Sequence, residues 1–135
     1  MNEIQKNLNK GNYQEVYQEL KSRKYCYSID NFTRDFKKIS SEKKFSFLHY
    51  VIANEESPAL HILICEFLMY TDTFFYDIYS VIKWHLKRAL EISPGNTSVL
   101  QWIICTFSDF SGSPFSEDEL SDYKKILNNY SEIND

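Results

Sequence analysis

His61 and Cys65 stand four residues apart, the spacing that sets two side chains on one face of a helix. An imidazole beside a thiol is the raw material of a nucleophile–base pair or of half a zinc site. A structural zinc needs four ligands, and Cys26 and Cys105 are isolated, with no Cys-x-x-Cys or His-x-x-x-His near them. The stretch 59–70 that carries His61 and Cys65 is apolar almost throughout. The pair therefore reads as a core imidazole with one satisfied nitrogen and a buried thiol. His49 and His85 sit beside apolar positions on two other helices, as core or boundary residues. Three isolated glycines cannot build a phosphate loop. The acid pairs Glu55-Glu56 and Glu117-Asp118-Glu119 fall at helix ends, where carboxylates offset the dipole. Asp72 and Asp77, five apart, do not converge unaided. With no nucleophile, base and oxyanion donor in view, no catalysis, metal or cofactor is expected.

The remaining working groups are rings and charge. Tyr76, Asp77 and Trp84 fall on or near the outer side of one helix, and Trp and Tyr dominate binding hot spots. The plainer alternative is that Trp84 is covered by a neighbouring helix or stacked under Arg88, four residues on. Trp102, among Leu100, Ile103 and Ile104, reads as core. The net charge of −4 is unevenly spread: residues 1–50 hold ten Lys/Arg against six Asp/Glu, and residues 51–135 hold five against thirteen. Between Lys44 and Lys83 there is no Lys or Arg, while Glu55, Glu56, Glu66, Asp72 and Asp77 all lie there. A nucleic-acid binder needs the opposite balance. An acidic field suits a basic protein partner, and ordinary solvated surface is the plain alternative.

These groups must be positioned by helices. Glycine and proline number three each in 135 residues, too few for the frequent tight turns of an all-β domain. Apolar spacing predicts a first helix over about 12–23 (Tyr13, Val16, Tyr17, Leu20), preceded by a short turn using Ile4 and Leu8. A second runs from Ser28 or Asp30 to Ile39. Ser40 or Ser41 caps a third that ends near Asn54. Ser57-Pro58 opens a fourth, apolar all round and hence central. A fifth spans about 73–92, with Ile82, Leu86 and Leu90 inward and Ser80, Lys83, Lys87, Arg88 and Glu91 outward. Asn96 or Thr97 starts a sixth, and Ser116 caps a last one with acids in its first turn. Short loops make successive helices antiparallel neighbours. The expectation is an all-α single domain over 1–135 of six to seven antiparallel helices, either stacked helical hairpins of solenoid type or an irregular bundle.

No run of eighteen apolar residues occurs, so no membrane span is expected. Met1 to Lys6 lacks the order of a secretory signal. Cys26, Cys65 and Cys105 are too few for a disulfide framework, which fits a reducing cytoplasm, with Cys65 and Cys105 as core residues.

The stretch 87–96, Lys-Arg-Ala-Leu-Glu-Ile-Ser-Pro-Gly-Asn before an apolar helix, looks like the end of a tetratricopeptide repeat, although no 34-residue period recurs. It implies helix-hairpin stacking. Phe47 to Ile52, Glu55 to Leu60, Tyr76-Asp77 and Trp84-His85-Leu86, with the small size and acidity, resemble the helical immunity proteins of bacterial contact-dependent and other polymorphic toxin systems. That resemblance implies a cytoplasmic inhibitor that covers the active site of a cognate toxin, often a nuclease, and it carries over no individual residue. From the acidic charge and surface rings themselves, a monomer is expected with Glu55, Glu56, Asp72, Tyr76, Asp77 and Trp84 as the contact residues to test. A helical-repeat adaptor that takes a peptide in an apolar groove is the alternative. A metal protein or enzyme built on His61 and Cys65 is the third.

Overall fold

The computed structural model describes residues 2–70 and 77–134. Among them are eight α-helices and no strand: α1 (Asn2–Asn9), α2 (Tyr13–Ser22), α3 (Ile29–Asp35), α4 (Ser41–Asn54), α5 (Pro58–Tyr70), α6 (Ile78–Ile92), α7 (Thr97–Phe107) and α8 (Glu117–Asn134). The fold is all-α. The short turn expected at the start is a helix, which anchors Ile4 and Leu8 in the core.

Side-chain caps explain where most helices begin. Ser28 accepts from the Asn31 N–H, Ser40 from Lys43, Ser57 from Leu60, Asp77 from Ser80 and Asn96 from Val99. Each satisfies one of the donors that a helix start leaves without a partner. At α8 the arrangement is reciprocal: Ser116 Oγ accepts from the Glu119 N–H at 3.1 Å and Glu119 accepts from the Ser116 N–H at 3.0 Å. The second predicted helix ends earlier than expected, at Asp35, and Phe36 to Ile39 continue as turns.

One hydrophobic core draws on all eight helices. At its centre α5 buries Leu60, His61, Leu63, Ile64, Cys65, Phe67 and Leu68, and it packs on α3, α4, α6 and α7. An apolar helix enclosed on most sides is what its composition demands. Rings supply much of the packing: Phe32 lies 4.7 Å from Phe36, and Phe107 meets Phe110 and Phe115 at 5.7 and 5.6 Å. Successive helices are not always neighbours. The seven-residue α3 packs on α5 rather than on α2 or α4, while α1 and α2 both pack on α4. Such non-sequential contacts make an irregular bundle, not a regular stack of hairpins.

Candidate functional site

The chain's three histidines come from three helices and meet. His49 sits on α4, and its Nδ1 lies 2.9 Å from the Phe45 carbonyl oxygen, one turn back. Its Nε2 is 3.2 Å from His85 Nε2 on α6. His85 Nδ1 is 2.8 Å from His61 Nδ1 on α5, and His61 Nε2 is 2.8 Å from Glu56 Oε2 in the loop before α5. Arg88, one turn beyond His85, grips both Glu56 oxygens with Nη2 and Nε at 2.8 and 3.0 Å, and its Nη1 reaches Glu91 at 3.1 Å. His61 and His85 are fully buried and His49 half-buried. A polar string thus crosses the interior from α4 to the surface of α6.

Burial sets the electrostatics. It pushes His85 down to about 3, and the neighbouring His49 and His61 push in the same direction. His49 is lowered as well, by burial first. The Arg88 fork, then His61, holds Glu56 at about 2, so its carboxylate is ionised at neutral pH. Arg88 is raised by the same contact.

Trp84 lies over this string. Its ring meets His85 edge-on at 5.0 Å and His61 at 6.2 Å, yet the residue is 60% exposed. Arg88 is committed to Glu56 and Glu91, not stacked on the indole. Ser80, Lys83, Lys87, Arg88 and Glu91 line the surface depression around Trp84. Lys83 and Lys87 are tied to Glu119 of α8 at 3.1 and 2.8 Å, so the cations of this face are paired.

The expected contact residues take different partners. Glu56 and Trp84 join at the histidine string. Asp77 lies two turns before Trp84 on α6 and caps that helix, taking the Ser80 hydroxyl at 2.6 Å. Glu55 accepts the Tyr17 hydroxyl at 2.8 Å, toward α2. Asp72 and Tyr76 lie outside the described residues. Each of the three described carboxylates already has a partner within the fold, as a helix cap, a tyrosine acceptor or an arginine partner.

Two readings of the interior need correction. His61 has both nitrogens engaged, not one, by His85 and Glu56. The Cys65 thiol donates to the Ile82 carbonyl oxygen at 3.6 Å and is pushed up by burial, so no thiolate–imidazole pair forms between Cys65 and His61. Cys105, expected in the core, is exposed, as is Cys26. Trp102 is half-buried against Phe107. Among the described residues, no group of three or more His, Cys, Asp and Glu side chains is arranged to hold a metal ion, and no helix is long and apolar enough to cross a membrane.

Sequence reasoning placed His49, His61 and His85 on or beside apolar faces but did not connect them. The available signal was collective: every imidazole in the chain faced a low-polarity setting and needed a partner. No family model, curated protein or solved structure matches the chain.

Proposed function

We propose that the chain is a protein-binding inhibitor, an immunity-type protein that neutralises a cognate toxin domain, and that the α6 face around Trp84 is its contact surface. The observation that carries this reading is Trp84 itself: a large ring, 60% exposed, held from below by two buried imidazoles. Exposing an indole costs solvation, and a fixed aromatic on a rigid helix loses little conformational entropy when a partner covers it. The paired charges of Lys83, Lys87, Arg88, Glu56, Glu91 and Glu119 surround it as a polar rim. Long-range attraction to a basic partner is supplied by the acidic balance of residues 51–135 as a whole rather than by Glu55, Glu56 and Asp77 individually.

The adaptor reading has an observation in its favour. An open cleft of about 340 Å³ between the end of α6 and α8 is lined by Leu90, Pro94, Leu100, Tyr123 and Ile126. A peptide with apolar anchors fits such a cleft. The two readings separate by mutation.

Co-expression with the protein product that the wild-type chain captures from its native organism tests the first. Wild-type chain should relieve growth arrest caused by that product. Trp84→Ala should lose protection while keeping its helical circular dichroism, and Ile126→Asp should keep protection. Protection abolished by Ile126→Asp and untouched by Trp84→Ala would shift the site to the cleft. No relief of arrest by the wild-type chain would contradict the inhibitor reading.

A further inference from the structure

The string from the Phe45 carbonyl through His49, His85 and His61 to Glu56 contains four gaps of 2.9, 3.2, 2.8 and 2.8 Å. Each is a hydrogen-bond distance and each takes one proton. Both ends, a carbonyl and an ionised carboxylate, can only accept. A neutral imidazole carries one N–H, so three neutral rings bring three protons to four gaps. Whichever tautomers are chosen, one gap is then left with two lone pairs facing each other. A fourth proton satisfies all four. It cannot come from Glu56, whose two oxygens are both held by Arg88. It therefore makes one ring an imidazolium, and Glu56 at 2.8 Å selects His61. The remaining rings are then fixed: His85 donates from Nε2 to His49, and His49 donates from Nδ1 to Phe45. A fifth proton puts two N–H groups head to head, and that contact must part.

We propose that the three histidines form a one-proton clamp, closed with four shared protons and opened by a fifth, which ties α4, α5, α6 and the Glu56 loop together beneath Trp84 and so makes the binding face pH-controlled. Its use in regulation rests on the protein-binding reading of Trp84; the clamp itself does not. The groups facing the rings are few. Glu56 comes from the loop, Arg88 reaches them through Glu56 with Glu91 behind it, and the Cys65 thiol of α5 is turned to Ile82. The sole titratable side chain of α7, Cys105, is exposed. From α2, Tyr13 and Tyr17 lie against Tyr50, and Glu55 is on Tyr17; on α1, Lys6 pairs with Glu3 at the surface. On α3, Asp35 is engaged by Tyr25 and Arg34. Burial of His85 and His49 resists the fifth proton, so opening is reserved for pH below the ordinary imidazole range.

Long-range ring proton–nitrogen spectra of the ¹⁵N-labelled chain test this without a partner. At neutral pH the wild type should show four ring N–H protons on three histidines, with one imidazolium at His61, an Nε2–H on His85 and an Nδ1–H on His49. In Glu56→Gln the carboxamide N–H supplies the fourth proton, and three neutral rings should remain. Three neutral rings in the wild type, or an imidazolium that persists in Glu56→Gln, would overturn the clamp and leave Trp84 as a binding residue untouched. On acidification the Trp84 indole N–H resonance should move together with protonation of His85 or His49, and a resonance that stays fixed would overturn the opening. Affinity for the partner should weaken at least tenfold across that transition. Unchanged affinity, with the proton count correct, would remove the regulatory role alone.

Discussion

His85 is the hinge of the polar string, because both of its nitrogens have imidazole partners. Replacing it with leucine, similar in size, strands a nitrogen on His49 and another on His61. An unsatisfied buried group costs about 1–3 kcal/mol and one on the half-buried His49 less, so His85→Leu should lower unfolding free energy by about 2–4 kcal/mol, read as a shift in urea midpoint. A variant as stable as wild type would show that water, not the imidazoles, satisfies these positions. This arrangement was hidden in the sequence because residues 49, 61 and 85 meet only through helix packing, which periodicity does not specify. Helical angle does explain the misplaced thiol. Leu100, Ile103 and Phe107 form the buried stripe of α7, and Cys105, two residues past Ile103 and two before Phe107, projects from the opposite side. Proximity to apolar residues along the chain was mistaken for a shared face. Trp84 was legible only as a possibility, since its exposure depends on which neighbour fails to cover it.

Helix starts were legible because they are local chemistry. Ser28, Ser40, Ser57, Asn96 and Ser116 all cap from the positions their side chains suggested. The end of α6 adds a less local constraint. Gly95 has φ +77°, the left-handed conformation that favours glycine, and a Cβ built there would come within 2.5 Å of the Tyr130 ring on α8. Gly112 shares the backbone strain, with φ +89°, but has open space around its Cβ position. Gly112→Ala should cost about 1 kcal/mol from backbone alone. Gly95→Ala should cost roughly twice that, because the α6–α8 contact must also shift. Equal losses in thermal or urea unfolding would mean that Tyr130 moves aside freely. The boundary of α3 was less legible: Phe36 and Ile39 keep the helical apolar spacing and remain buried, although the chain there runs in turns. Burial fixed the pattern, and the pattern alone could not distinguish helix from turn.

At the scale of the whole molecule, the all-α class followed from scarce turn residues and from the apolar α5, while the irregular packing of α3 needed coordinates. The histidine string also gives the fold a pH dependence. Burial holds His85 at about 3 and His49 below its ordinary 6.5, whereas the unfolded chain protonates both near 6.5. A depressed folded-state value gives stability that is complete above the unfolded value and is lost as pH falls. The window therefore opens near 6.5 and extends toward 3. Within it the slope is about 1.4 kcal/mol per pH unit for each proton that only the unfolded state takes up. The urea midpoint should fall steadily from pH 7 to pH 4, and less steeply in His85→Leu; identical slopes would place the linkage elsewhere. Glu56 and Glu119, both held at about 2 by cations, add their loss only below about 4.5. The function proposed for this body rests on one exposed ring. Calorimetric titration of the captured partner into wild type and Trp84→Ala at neutral pH tests it most directly. A loss of about thirtyfold or more in affinity, as a hot-spot ring of roughly 2 kcal/mol gives, with an unchanged urea midpoint, is the predicted result. Equal affinities for the two proteins would contradict it.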